Sequence, residues 1–504
     1  MIIRPWLLAA GLFLSLPLVV AAQEPAAVPA SPDRATVSRP VISPNLFPSA
    51  DLGRAPAAQA AQAGLACPEC HPQKRFWPAF GELMLAQMLP FSLNHFVRDQ
   101  EWADISPTSW MRNLENPWVW DNNAFLNNQF SHPYHGSLYF NSGRANGFNF
   151  WTSSLFAMGG SFMWEEFFEV WAPAPNDWLN TSLGGITIGE TFYHLSSLIL
   201  DNTATGSERT WREIGAFLVD PMRGFSRLVG GKTHGVTANP EDWRPSKIQG
   251  NVDIGARNLQ GFEGSSISGA SAMIWVWYDD PVTSVVKKPF TTIRFNAELA
   301  SNNKDEVTGK GSGLNGLNIR GNLGGRQLGS GGQSQNYLGT FLRYEYFNSS
   351  AYEFGGQGFN AGLVSRFGGR EPGDFHLDLE VLGDFMPIAA VRSDYYATEE
   401  GRDYDYGVGL GGWTEARALW PGKGMLRVQG RYLWQPTLSG FNGYHTQAAL
   451  TGEGRYYLGG RFGVGGTVTY YNTRGIYDDF ADVTKTGTQY RLFASLAFPK
   501  WESR

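Results

Sequence analysis

The sequence predicts a C-terminal transmembrane antiparallel β-barrel of about twelve strands, preceded by an α-helical domain. Three observations predict it: a leader of the exported type, a composition rich in glycine and aromatics but poor in charge, and a hydrophobic pattern that turns to strict alternation near residue 246. Of the 504 residues, 17% are charged, 14% are aromatic and 61 are glycine. An ordinary soluble domain carries charge on about 25% of its residues. A membrane barrel needs only half of each strand to be apolar, because the other half faces the lumen.

The chain opens with a short basic stretch, Met1 to Arg4, followed by an apolar run from Trp6 to Val20. Val20-Ala21-Ala22 supplies small residues at the cleavage positions, so residues 1–22 read as a signal peptide and the mature chain as starting near Gln23. About fifteen apolar residues are too few for an uncleaved anchor, which needs roughly 20. The expected destination is the outer membrane of a Gram-negative cell. Residues 23–75 begin rich in Ala, Pro and Ser without a sustained apolar period, and read as a flexible tether. The net charge of −6, with no run of like charge, gives no reason to expect nucleic acid as a partner.

Residues 76–240 read as helical. Gly147 to Trp171 and Asp177 to Asp201 are long, mostly apolar and without alternation, with Pro173 and Pro175 breaking the chain between them. Asp177 stands where an N-terminal capping residue would. Glu165, Glu166 and Glu169 interrupt the first segment, and Glu190 and His194 the second. Ionisable groups are costly at bilayer depth, and an exported barrel must not be arrested in the inner membrane. The expectation is a compact helical hairpin lying under or inside the barrel.

Residues 245–504 alternate. Ile293, Phe295, Ala297 and Leu299 interleave with Arg294, Asn296 and Glu298; Leu426, Val428, Tyr432 and Trp434 alternate with Arg427, Gln429 and Arg431. This is the apolar-out, polar-in dyad of a membrane barrel. Trp413, Trp420, Trp434, Tyr470 and Tyr471 fall near strand ends, as interfacial girdles require. Twelve strands are expected, centred near residues 253, 275, 296, 320, 341, 361, 380, 409, 430, 451, 467 and 493. The terminal alternation from Tyr490 to Phe498 resembles the signal read by barrel-assembly machinery. Outer-membrane lipids and lipopolysaccharide are the other expected partners.

Chemistry concentrates between residues 130 and 230. His132 and His135 are three apart, and Glu190 and His194 four apart, so each pair would share a helix face. With Glu165, Asp177 and Asn180 they could form an acid/base site or hold a divalent metal, with Arg144 and Asn141 as substrate contacts. The competing reading is a hydrogen-bonded network locking two apolar helices together. Pro133 would disturb a helix through His132 and His135, and neither a His-Glu-x-x-His nor a Gly-x-Ser-x-Gly motif is present.

The run from His132 through Trp151, the Trp164-Glu165 helix, Asn176-Asp177 to Glu190, and Arg212-Glu213 to Asp220-Pro221-Met222-Arg223 resemble a bacterial envelope family, domain of unknown function 3943, over about residues 125–231. The resemblance implies a cell-envelope setting and brings no activity. There is a fainter similarity to VanZ-like helical membrane proteins, from which the spacing of Asp177 and Asn180 departs by one residue.

The only cysteines lie in Cys67-Pro68-Glu69-Cys70-His71. Three readings stand: a disulfide in an oxidising compartment, a c-type haem on Cys67 and Cys70 with His71 as axial ligand, or a zinc site lacking identifiable further ligands. Met84, Met88 or His95 would supply the second axial ligand of a haem. The functional classes left open are a lipid- or glycan-modifying envelope enzyme, a non-enzymatic plugged channel or structural barrel, and a haem electron conduit.

Overall fold

The computed structural model describes residues 64–261, 266–301, 313–329, 334–349, 352–369, 374–459 and 461–498. The expected signal peptide and the tether up to residue 63 lie outside them.

Twelve antiparallel strands close into a barrel: β1 Ile248–Gln260, β2 Ser266–Tyr278, β3 Ile293–Ala300, β4 Gly313–Leu328, β5 Ser334–Ser349 and β6 Tyr352–Gly368, then β7 His376–Arg392, β8 Tyr404–Trp420, β9 Gly424–Ser439, β10 Gly443–Gly459, β11 Phe462–Tyr477 and β12 Val483–Phe498. Each expected centre falls within its strand. β1 pairs with both β2 and β12, so no edge is left open. Closure satisfies the backbone strand to strand, one of the two ways a chain can cross hydrocarbon. Ile254, Val428, Leu450 and Leu492 stand exposed on the outer face. Arg343, Glu345, Glu380 and Arg455 are buried on the inner one. An apolar exterior on a closed barrel defines an outer-membrane protein.

The lumen is crossed by ion pairs. Arg343 donates to Asp384 at 3.1 and 2.9 Å and pairs with Glu345. Arg455 reaches Asp253 at 2.6 and 2.9 Å and Glu453 at 2.8 Å. Arg366 and Arg417 share Asp378. At the end of the barrel that carries Ile248 and Phe498, the loop between β2 and β3 folds inward. Its Val282 packs with the lumen-facing Tyr337, Phe341, Val364 and Leu382. Its Asp280 meets Arg366 at 2.6 Å. A cavity of about 190 Å³ remains, lined among others by Trp275, Arg294, Glu298, Arg431 and Arg491.

Eight helices precede the barrel among the described residues: α1 Phe76–Phe96, α2 Pro107–Glu115, α3 His132–Ala145, α4 Phe150–Phe167, α5 Pro175–Leu179, α6 Gly185–Ile199, α7 Gly206–Val219 and α8 Pro221–Val229. A π-turn, Asn127–Ser131, leads into α3, and another, Asn180–Gly184, joins α5 to α6. Pro133 does not break α3. It sits in the first turn, where a backbone N–H would have no helical partner. The helices approach closely at small residues. A Cβ on Gly136 would meet the Thr181 carbonyl oxygen at 1.9 Å, and one on Gly189 would meet the Phe140 ring at 2.8 Å.

The expected hairpin under or inside the barrel is not what forms. The bundle lies against the outer wall. On β5 the lumen takes Arg343 and Glu345, so Tyr344 and Tyr346 point outward, and the Tyr344 hydroxyl donates to the Gln129 carbonyl at 2.6 Å. Tyr404 and Tyr406 alternate with the lumen-facing Asp405, which holds His445 of β10 at 2.8 Å, and both tyrosines meet the bundle. Ile293, Leu317, Ile319 and Ile388 share one apolar core with Phe140, Ile186 and Ile188. The physical reason is that the lumen is already filled by its own charges, whereas this part of the wall offers tyrosine hydroxyls and apolar surface.

Removing one partner of a buried ion pair costs about 3–5 kcal/mol. Arg343→Ala, which strands Glu345 and Asp384, is therefore expected to lower barrel stability by about that amount. Urea unfolding in detergent, followed by tryptophan fluorescence, measures it.

Candidate functional site

The densest polar group sits where the π-turn before α3, the C-terminal end of α4, and the α5–π-turn junction converge on the outer face of β8. His132, at the start of α3, turns its Nδ1 to the Thr181 hydroxyl at 3.2 Å and its Nε2 towards Asp177 Oδ1 at 3.9 Å. Glu165 accepts from the Ala174 backbone N–H at 2.9 Å through Oε2, and its carboxyl also hydrogen-bonds with that of Glu169. Each of these three residues offers one ligand atom, and the three atoms lie within 4.8 Å of one another. Glu165 and Asp177 are buried, and His132 is partly so.

Local structure explains the convergence. α4 ends at Phe167, Pro173 lies in the connection, Pro175 starts α5, and Asp177 falls in the first turn of α5. The π-turn at Asn180–Gly184 inserts an extra residue that keeps Asn176, Asp177, Asn180 and Thr181 on the buried side. Asp121 accepts from the Asn123 backbone and side chain and from Asn128, each at 2.8 or 2.9 Å. Asp121 and Glu169 both stand within electrostatic range of Asp177. Four carboxylates therefore share this region with one imidazole. The guanidinium of Arg402 reaches no nearer than the Asp121 carbonyl and the Asn122 side chain, each at 3.4 Å. Buried carboxylates are tolerated when hydrogen bonds, protons or a cation neutralise them.

A frame of amides and tyrosines fastens the cluster to the barrel. The Asn128 amide donates to Tyr404 at 2.9 Å, and the amides of Gln129, Asn176 and Asn180 donate to Tyr406 at 3.1, 3.3 and 3.4 Å. Asn176 also donates to Asp177 Oδ1 at 2.7 Å and accepts from the Asp121 backbone at 2.9 Å. The Oδ1 atoms of Asn128 and Asn180 have no donor among the described residues.

Other expected site residues are placed elsewhere. A ring nitrogen of His135 meets the Ala86 carbonyl at 2.9 Å, and the ring packs edge-on to Trp164, so it ties α1 to α3. Glu190 and His194 form a second group. Glu190 takes two bonds from Arg144, at 2.6 and 2.9 Å, and lies 3.4 Å from His194. His194 reaches the Tyr278 hydroxyl at 3.3 Å. Asn141 donates to the Gly189 carbonyl at 3.1 Å. Arg144 and Asn141 are thus engaged in joining α3 to α6. Asp121, Asn128, Gln129 and the pair Tyr404/Tyr406 escaped the sequence reading. The available signals were the amide-rich stretch 121–129 and two tyrosines two apart on the apolar face of a strand.

Cys67 and Cys70 form a disulfide, with S–S 2.01 Å. Both sulfurs that a covalent haem would need are thereby engaged with each other. The turn carries Glu69, which bonds Arg227 at 3.0 and 2.9 Å and accepts from Asn202 at 2.8 Å. Burial alone would raise the Glu69 carboxyl, but the Arg227 and Lys232 cations outweigh it and hold it down at about 2.

Fold and site together define an outer-membrane β-barrel with a helical bundle fastened to its outer wall and a buried His/Glu/Asp cluster at the seam. Residues 117–222, which include the cluster, match the model of the family described as Domain of unknown function (DUF3943). No curated protein matches the chain. Among solved structures, the chain is similar to an outer membrane channel from Pseudomonas putida, with 10% identity over 50% of this chain and 96% of that one and a TM-score of 0.29. The NanC porin gives 8%, 48%, 98% and 0.26, and OmpT of Vibrio cholerae 9%, 50%, 97% and 0.22. Scores this low add nothing to what the barrel itself displays.

Because the Glu69 carboxyl is held below its ordinary 4.5, the stability it adds is fully present above about 4.5 and is lost as pH falls towards about 2. Protection factors at residues 67–71, corrected for the intrinsic exchange rate, should therefore fall through that window, and Glu69→Gln should remove that change. The disulfide predicts that thiol alkylation of Cys67 and Cys70 occurs only after reduction, which intact mass reads directly.

Proposed function

We propose that the cluster is a divalent metal centre that serves hydrolytic chemistry on an outer-membrane lipid or lipid-linked glycan. The observation that carries this reading is the convergence of His132, Glu165 and Asp177 to within 4.8 Å, with both carboxylates buried. One imidazole and two carboxylates make a ligand set suited to zinc, manganese or iron. Three protein ligands are the number found where a fourth position is kept for water, which the ion then makes acidic enough to attack as hydroxide near neutral pH.

The other residues have roles that follow from their positions. Asn176 orients Asp177, Thr181 fixes the His132 ring, and Glu169 is a further carboxyl group beside the ligands. A lipid-linked substrate follows from the setting, since the cluster lies beside the outer wall of a membrane barrel. One observation favours a second reading, a purely structural metal clamp: Asn176, which donates to Asp177, and Asn128, which donates to Asp121, also donate to Tyr406 and Tyr404 and so join bundle to barrel.

Metal analysis of the full-length protein, purified in detergent and dialysed against zinc or manganese, is expected to give one ion per chain. His132→Ala and Asp177→Asn should lose it, and Asn176→Ala should weaken it by about 10–100-fold, the usual effect of removing a group that orients a ligand. Wild-type protein that retains no ion overturns the metal centre. A bound ion with unchanged envelope lipids in the His132→Ala strain overturns the enzymatic reading in favour of the clamp.

A further inference from the structure

Two helices of the bundle, α1 and α4, have their polar residues inside and their apolar residues outside, the reverse of a water-soluble domain. In α4 the exposed residues are Trp151, Leu155, Met158, Gly159 and Phe162, none of them polar. The buried side of the same helix carries Ser153, Ser154, Ser161, Glu165 and Glu166. α1 repeats the pattern, exposing Phe76, Trp77, Pro78, Gly81, Met88 and Phe96 while burying Glu82 and Gln87. Polar side chains bonded between helices, glycines at the close approaches and apolar residues outside are the arrangement of helices packed in hydrocarbon.

The position of the bundle names what covers this surface. At one end of α4, the Phe150 ring packs, tilted, 5.5 Å from Phe290, in the loop beside the start of β3. At the other end, Glu165 holds Ala174, two residues before Asn176, which meets Tyr406 near the opposite rim. The helix therefore runs along the wall from rim to rim. Its 18 residues span about 27 Å at 1.5 Å each, which matches the roughly 25 Å apolar band of a membrane barrel. The bundle covers outward-facing Ile319, Tyr344, Ile388 and Tyr404, positions that lipid would otherwise cover. Next to this footprint the wall stays apolar and open at Leu363, Val381, Phe385 and Leu410.

We infer that the bundle is embedded sideways in the outer membrane, with lipid acyl chains as the partner of the exposed faces of α1 and α4. No helix among the described residues is long and apolar enough to cross a membrane. That is compatible with embedding in this form, because the polar residues face other helices and the barrel, and each helix remains polar enough to pass the inner membrane during export. The inference goes beyond the metal centre and does not depend on it.

Spin-label accessibility tests it on the full-length protein in proteoliposomes. Labels are placed at Leu155→Cys and Phe162→Cys on α4, at Leu450→Cys on the bare barrel wall, and at Ser207→Cys at the polar start of α7; the native cysteines are paired and take no label. The expected result is that oxygen relaxes the α4 labels severalfold more than a water-soluble nickel chelate does, as at Leu450, with the reverse order at Ser207. α4 labels that behave like Ser207 overturn the inference, since the face is then in water. Labels shielded from both reagents also overturn it, because a protein surface then covers the face. All four sites are exposed, so heat-modifiable migration in gels is expected to stay wild-type and confirms a folded barrel in each variant.

Discussion

The seam between Tyr404/Tyr406 and the amides of Asn128, Gln129, Asn176 and Asn180 is the contact on which the placement of everything else depends. Each tyrosine offers a hydroxyl on a face that is otherwise apolar, and each amide would be costly to bury without a partner. Together they fix where the bundle meets the wall. That in turn sets the first turn of α5 and the start of α3, and so the meeting of His132, Glu165 and Asp177. A second polar contact, Glu190–His194–Tyr278, pins the other end of α6 near the opposite rim. Between the two pins the contact is apolar and tight, made by Ile186, Ile188, Ile293 and Ile319.

The barrel interior follows a different rule. Its arginines and carboxylates are matched nearly one to one across strands, and the loop from Asp279 to Thr292 supplies both an apolar insert, Val282, and a further carboxylate, Asp280. Buried pairs of this kind are weak evidence of net stability, but removing either partner is expensive. These pairs brace the barrel wall around the cavity that remains in the lumen. The outer wall is the surface on which the helical domain docks.

Much of the fold was legible in the sequence, because side-chain alternation in a barrel is a local property. Leu317, Ile319 and Arg320 declare their faces by parity alone, and twelve such runs give twelve strands. The break at Pro173 and Pro175, and the two helical segments around it, were equally local. The site was legible only in part. His132, Glu165 and Asp177 stood out as polar groups in apolar surroundings, yet spacing could not tell which histidine joins them: His135, three residues on, points to the Ala86 carbonyl instead. Asp121 and Tyr406 carry only the weak signals of an amide-rich stretch and of paired tyrosines on an apolar face, which do not say what they meet.

By itself, then, the sequence determined the barrel, its inward charges and the pool of residues from which a site could be drawn, since each rests on a period of two or on a run of a few residues. Only the tertiary structure decided that the helices lie outside the barrel, that their apolar faces look outward, and that the cluster forms around His132. Those outcomes depend on contacts between residues more than 200 apart, such as Asn176 with Tyr406. They depend equally on the lumen being filled first by its own ion pairs. No local pattern encodes either condition, because both are properties of the closed barrel as a whole.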